Sequence, residues 1–163
     1  MMLRICRMVA CLAVVPQVGV AQERALGIVG GAWSYDLSGT GTSAFGGLRA
    51  EFTVARPVVI EPGLTYARYS SQFGPSVNYL IPEIQGQLQI PGSTLRPFLG
   101  AGIGFAYAWA EGEHVTDLSL SAGLGTRVRL SEDWGARAEL RVRSIDPWTG
   151  NAAEWTAGIA HRF

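Results

Sequence analysis

The chain has 163 residues, with 13 basic and 13 acidic side chains and no net charge; no basic tract gives it the footprint of a nucleic-acid binder. Hydrophobic residues make up 48% of it, but they are accompanied by 21 glycines. Beyond Ala21 no apolar run approaches the roughly 20 residues a spanning helix needs, which excludes a helical membrane protein.

Residues 1–21 read as an export signal. Arg4 and Arg7 supply a positive start, Met8 to Val15 an apolar run, Pro16 a break, and Gly19-Val20-Ala21 small residues for cleavage. Removal after Ala21 is expected, leaving residues 22–163 as one domain of roughly 140 residues. Cys11, after Met8-Val9-Ala10, also permits a lipoprotein reading, although little apolar sequence would then precede the cysteine. Cys6 and Cys11 both lie in the leader, so no disulfide is available to the exported domain.

Alternation bounded by turn residues marks successive strands. The first, about 25–37, sets Val29, Trp33, Tyr35 and Leu37 on one face. The second, about 44–55, sets Leu48, Ala50, Phe52 and Val54 against Arg49, Glu51 and Thr53. The third, about 58–69, sets Val58, Ile60, Leu64 and Tyr66 against Glu61, Gly63 and Thr65. In the fourth, about 77–90, Leu80, Ile84, Leu88 and Ile90 oppose Glu83, Gln85, Gln87 and Gln89. The fifth, about 95–109, carries Leu99, Ile103, Phe105, Tyr107 and Trp109 on one side and Gly100, Gly102 and Gly104 on the other. In the sixth, about 117–130, Leu118, Leu120, Leu124 and Val128 oppose Ser119, Ser121, Arg127 and Arg129. In the seventh, about 134–145, Trp134, Leu140 and Val142 oppose Arg137, Glu139, Arg141 and Arg143. The last places Trp155, Ile159, His161 and Phe163 against Glu154, Thr156 and Arg162.

A soluble β-sandwich would show the same alternation. Three features favour an all-β, eight-stranded antiparallel up-and-down transmembrane β-barrel. Aromatics gather near strand ends, as membrane-interface residues do: Trp33, Tyr35, Tyr66, Tyr107, Trp109, Trp134, Trp155 and Phe163. The polar face is rich in Gly, Ala and Ser, which suits a crowded lumen. The segments exceed the usual five or six residues and suffice to cross a tilted bilayer. Short turns are expected at Arg56-Pro57, Pro91-Gly92-Ser93 and Ser131-Glu132-Asp133, facing the periplasm with both mature termini. Longer connections are expected near Ser38–Ser43, Ser70–Ser76, Ala110–Thr116 and Asp146–Ala152. Pro62 and Pro82 fall inside strands, where each removes a ladder donor, so a bulge or locally broken pairing is expected there.

The interior of such a barrel is just wide enough for side chains. Parity sends Arg49, Arg96, Arg127, Arg129, Arg137, Arg141, Arg143 and Arg162 inward, against Glu51, Glu61, Glu83, Glu139 and Glu154. Such charges should interlock as pairs. Glu61 and Glu83 are expected to approach each other, held by Arg49 or by the Arg137–Arg143 row, with Gly100, Gly102 and Gly104 leaving space. Two roles follow: a polar plug that stiffens the barrel, or a narrow anion-tolerant pathway, since arginines outnumber glutamates.

The stretch Arg96-Pro97-Phe98-Leu99-Gly100-Ala101-Gly102-Ile103-Gly104-Phe105-Ala106-Tyr107 resembles the small outer-membrane β-barrel superfamily, which includes the transmembrane domain of outer membrane protein A. The resemblance covers roughly residues 25–163. It implies a terminal strand read by the outer-membrane assembly machinery, matched by Trp155, Ile159 and Phe163; His161 departs from the usual apolar or aromatic residue. The expected protein is a monomeric outer-membrane barrel with a structural or surface-interaction role and a lumen plugged by Arg/Glu pairs. Its expected partners are outer-membrane lipid, lipopolysaccharide and the assembly machinery, with no nucleic acid. The alternative is a narrow porin-like channel or transporter for small solutes. No catalytic, cofactor or metal site is expected. His114, Thr116 and Asp117 form the only local group with the residue types a nucleophilic enzyme needs, and Glu111, Glu113 and Asp117 read as a solvated acidic loop.

Overall fold

A strand that crosses lipid must pair every backbone N–H and C=O within the protein wall, because the hydrocarbon offers no substitute. The computed structural model, which describes residues 23–35, 41–69, 76–146 and 150–163, satisfies this by closing a sheet on itself. Its strands are β1 (Arg24–Tyr35), β2 (Thr42–Ala55), β3 (Val58–Tyr69), β4 (Val77–Gln89), β5 (Leu95–Ala110), β6 (Glu113–Arg129), β7 (Trp134–Ile145) and β8 (Gly150–Arg162). Each pairs antiparallel with its neighbours in sequence, and β1 closes on β8 from Ala25↔Arg162 to Tyr35↔Ala152. Strands run from 12 residues in β1 to 17 in β6. The expected leader, the aromatic side chain of Tyr35, Leu37 and most of the connections expected near residues 38–43, 70–76 and 146–152 lie outside the described residues.

Side chains alternate between two environments with opposite demands. Leu48, Ile84, Leu88, Leu99, Ile103 and Leu124 are among the exposed large apolar residues on the outer wall, while Arg49, Glu61, Glu83, Arg137, Arg141 and Glu154 are buried inside. An apolar band covering all sides of the molecule is far larger than the patch a water-soluble monomer tolerates. The sheet is therefore a lipid-facing wall around a polar lumen.

One face is reversed relative to the sequence reading. In β1, Leu26 and Ile28 point outward, and Val29 and Trp33 point inward; Trp33 is only 3% exposed and is not a membrane-interface residue. The stretch 25–35 holds no charge, so its own pattern does not say which face is wet. Its neighbours decide: Trp33 pairs with Glu154 of β8, a lumen residue, and directly paired residues share a face.

The connection expected at Ala110–Thr116 is also shorter. The β5 and β6 strands continue to Ala110 and from Glu113, joined by Glu111 (φ 46°) and Gly112 (φ 90°). Positive φ at both central residues is the type I′ arrangement, whose twist matches that of the flanking strands. The irregularity expected at the prolines takes a specific form. Register between β3 and β4 is unbroken from Val58↔Leu88 to Tyr69↔Val77, passing through Pro62↔Ile84 and Leu64↔Pro82. The gaps lie on the other side of each proline: β2–β3 pairing skips the positions opposite Pro62, and β4–β5 pairing skips Pro82. Alternate residues along a strand aim their N–H at opposite neighbours, and each missing donor here belonged to the outer ladder of the β3–β4 hairpin. The register shift in this wall lies between Thr53 and Ala55 instead.

The outward face sets a stability expectation. Ile84 is 51% exposed in the middle of β4. Replacement by Arg should destabilise the barrel by about 2–4 kcal/mol in reversible denaturant unfolding from lipid vesicles. A solvent-exposed site would instead change by less than about 0.5 kcal/mol.

Candidate functional site in the barrel lumen

The charged lumen side chains come from β2, β3, β4, β6, β7 and β8 and form one alternating chain. Glu51 on β2 accepts from Arg127 Nε at 3.1 Å. Arg127 Nη2 donates to Glu61 Oε2 at 3.0 Å, and the same oxygen accepts from Arg137 Nη1 at 2.6 Å. Arg137 Nη2 donates to Glu139 Oε2 at 2.7 Å. Glu139 Oε1 accepts from Arg141 Nη2 at 3.0 Å and from Gln85 Nε2 at 3.0 Å. Arg141 Nη1 bonds Glu83, which also accepts from Arg143 Nη1 at 2.7 Å. Arg143 Nε then bonds Glu154 on β8. Arg49 lies beside this chain, 3.7 Å from Glu61 and 4.0 Å from Glu83, with its Nη2 donating to Thr65 Oγ1 at 2.8 Å. It makes the two signs equal in number, so the network is close to neutral as a whole.

Glu61 and Glu83 approach each other through a shared cation, both within 4.0 Å of the Arg49 guanidinium, and the Arg137–Arg143 row holds each of them as well. Their positions are offset in register, Glu61 opposite Gln85 and Glu83 opposite Gly63, and guanidinium groups lie between them. Small residues make room for this. A Cβ on Gly63 would lie 2.6 Å from Arg49 Nη1, and one on Gly102 would lie 2.6 Å from Ser121 Oγ. The neutral members Gln85, Gln87, Ser119, Ser121 and Thr65 fill remaining valences; Ser119 Oγ, for instance, accepts from Arg143 Nη1 at 2.8 Å.

Two lumen features were not singled out from sequence. Phe98 lies inside, beneath the guanidinium carbons of Arg127 at 4.6 Å and Arg137 at 5.5 Å, as a cation–π platform. Toward the end opposite the chain termini, Trp33, Phe45, Ala67, Ile81, Ala106, Ile145 and Ala152 form an apolar plug. The Trp33 and Tyr79 rings pack there at 5.3 Å. The signal for both was parity: Phe45 is in phase with Arg49, Ile81 with Glu83, Ile145 with Arg143, and Phe98 with Arg96.

The remaining expected site residues divide. Arg129 is exposed at the end of β6 and takes no part in the network, a correction to its assignment there. Arg96 pairs instead with Glu23 at 3.1 Å near the chain-terminus end. Among the aromatics, Tyr66, Tyr107, Trp134 and Phe163 face outward near strand ends. Tyr66, Tyr107 and Trp109 form one cluster, with Trp109 centroids 6.3 Å from Tyr66 and 5.5 Å from Tyr107. Trp155 also faces outward, 60% exposed, but from the middle of β8 rather than a rim. His161 packs edge-on against Trp134 at 5.0 Å, where it acts as one more interfacial ring. His114, Thr116 and Asp117 lie on β6 and not in a loop, with Asp117 on the opposite face from the other two, so they cannot converge on one reacting atom. Among the described residues no group of His, Cys, Asp and Glu is placed to hold a metal ion.

A closed antiparallel barrel with an apolar exterior and an internal charge network defines an outer-membrane β-barrel protein. The chain belongs to the outer membrane protein beta-barrel domain family, whose model matches residues 6–163. It lies in the bacterial outer membrane and crosses it with strands. No curated protein matches the sequence. Among solved structures it is similar to neisserial surface protein A, at TM-score 0.70 and 14% identity over 87% of this chain and 97% of that one. It is also similar to the attachment invasion locus protein of Yersinia pestis, at TM-score 0.61 and 17% identity over 88% and 100% of the two chains. The outer membrane enzyme PagL matches at TM-score 0.54 and 13% identity over 83% and 97%. At such identities the likeness is one of fold, and the fold accommodates enzymes and non-enzymes alike.

The network makes a sharp stability contrast. Arg141 is 1% exposed. Arg141→Ala leaves Glu139 short of a partner and Glu83 with only Arg143 and Arg49 nearby, and should cost about 3–5 kcal/mol in denaturant unfolding. Arg129→Ala should change stability by less than about 0.5 kcal/mol. Equal effects at the two positions would mean that the chain of pairs is not what holds the lumen together.

Proposed function

We propose that this protein is a closed outer-membrane barrel with a structural or surface-interaction role, its lumen filled rather than conducting. The observation that carries the reading is the unbroken alternation Glu51–Arg127–Glu61–Arg137–Glu139–Arg141–Glu83–Arg143–Glu154 across the lumen. An ion passing through would have to break several buried pairs, each strongly destabilising to open. The apolar plug around Trp33 and Ile81 adds a second obstruction. Supporting a non-enzymatic role, the one histidine-centred group of the sequence is split between two faces of β6.

On this reading the chain is a monomer with its termini and short turns in the periplasm, and the opposite end carries the contacts with lipopolysaccharide. The Tyr66, Tyr107 and Trp109 cluster and exposed Arg68 stand at that end, where headgroups lie. The assembly machinery engages β8 through its outward residues Trp155, Ile159 and Phe163.

Planar-bilayer recording tests the closed lumen. The purified barrel should give no stepwise conductance above the protein-free baseline, and steady, reproducible openings would replace this function with the narrow channel. Orientation is tested separately. With the leader cysteines removed on export, Glu111→Cys should label with a membrane-impermeant maleimide on intact cells and Ser93→Cys should not. The reverse pattern would invert the topology.

A further inference from the structure

The internal network leaves a remainder. Once Arg49, Arg127, Arg137, Arg141 and Arg143 are matched with Glu51, Glu61, Glu83, Glu139 and Glu154, the arginines Arg96, Arg129 and Arg162 are left at the chain-terminus end. Arg129 and Arg162 form no ion pair among the described residues, and Arg96 has only the half-exposed Glu23. We propose that this mouth of the lumen is a binding site for a phosphate group, built from Arg96, Arg127 and Arg162.

Three observations support it. The first is the packing of like charge: Arg96 is directly opposite Arg127 on the neighbouring strand, and Arg127 directly opposite Arg137. Like charges so placed repel unless an anion lies between them. Glu51 and Glu61 each bridge the inner pair, whereas among the described residues no carboxylate bridges the outer one, where Glu23 reaches Arg96 alone. The second is donor supply. Arg162 Nη1 and Arg127 Nη1 are both buried with no hydrogen-bond partner, which leaves their desolvation uncompensated. The third is convergence: these two arginines, with Arg96, Glu23 and Glu51, line one recess of about 30 Å³, which widens to admit a larger group only when the Glu23 carboxylate moves out.

Phosphate is the chemistry that fits. The guanidinium fork binds two phosphate oxygens at once, and a group with more than one charged oxygen satisfies several forks converging from different strands. The Glu23 carboxylate, 3.1 Å from Arg96 Nη1, is an internal occupant of the same site. It sits on the exposed edge, and an incoming phosphate displaces it. The phosphate belongs either to an anionic phospholipid headgroup at the membrane surface or to a free ion.

The test uses the barrel refolded in a maltoside detergent, which carries no phosphate, with folding checked by heat-modifiable migration on a denaturing gel. Inorganic phosphate and a short-chain phosphatidic acid are titrated separately by calorimetry. The expected result is saturable binding, weakened roughly tenfold or more by Arg162→Gln and by Arg96→Gln, as the loss of a charge-assisted contact implies. Glu23→Gln should tighten binding, because the competing carboxylate is gone, and Arg68→Gln at the far end should leave it unchanged. Binding of inorganic phosphate makes the free ion a sufficient ligand; binding of the phosphatidic acid alone assigns the site to a headgroup. The proposal is overturned if neither ligand saturates, or if the Arg162 and Arg96 variants bind like the wild type. If Arg162→Gln does not refold, Arg96→Gln and Glu23→Gln decide by moving affinity in opposite directions or failing to.

Discussion

Closure of the backbone ladder is the constraint from which the rest of the molecule follows. In hydrocarbon an unpaired strand edge has no solvent to turn to, so β1 must meet β8. Once the wall is a cylinder, each residue has only two places to point. With eight strands the inner space is too narrow for bulk water, so a charge on the inner parity away from the rims is desolvated and needs a partner within reach. The alternating arginine–glutamate chain is the solution the sequence carries. It ties β2, β3, β4, β6, β7 and β8 together through side chains as well as backbone. The layering of the lumen, with charge in the middle and apolar side chains toward one end, is then a consequence of packing.

The choice of cation belongs to the same argument. The sequence contains no lysine, and all 13 of its basic residues are arginine. A lysine presents one point of charge, whereas a guanidinium offers several donors in a fixed plane and bridges two or three carboxylates at once. Arg141 does so between Glu83 and Glu139, and Arg143 between Glu83 and Glu154. A chain of this kind could not be built from ammonium groups without leaving carboxylate oxygens unmet. Glycine and serine at the facing positions are its complement, since a Cβ at Gly102 or Gly63 would occupy space that a side chain already fills.

Much of this was legible in the sequence because charge reports parity. Where a strand holds an Arg or Glu away from its ends, as in β2, β3, β4, β6, β7 and β8, the inward face reads directly from one residue and propagates by twos. β1 shows the limit. Between Ala25 and Tyr35 nothing is charged, the aromatic Trp33 looks like a girdle residue, and only pairing with Glu154 across the closing seam turns it inward. Arg129 shows a second limit: parity says which way a side chain leaves the wall but not how far along the axis it lies, and at the end of β6 the inward direction opens to water. The β5–β6 turn was hidden for a local reason, since Glu111-Gly112 forms the tight hairpin more often signalled by Asn-Gly or Asp-Gly. The pairing of particular arginines with particular glutamates depends on the tilt and stagger of the strands, which no local pattern encodes.

The assignment of faces is tested most directly by tryptophan fluorescence in vesicles of brominated lipid, using variants that each retain a single tryptophan. Acyl-chain bromine quenches only rings that touch lipid. The variant retaining Trp155 should be strongly quenched, and the variant retaining Trp33 should be nearly as bright as in unbrominated lipid. Strong quenching of Trp33, or none of Trp155, would contradict the arrangement of apolar residues outside and charge within.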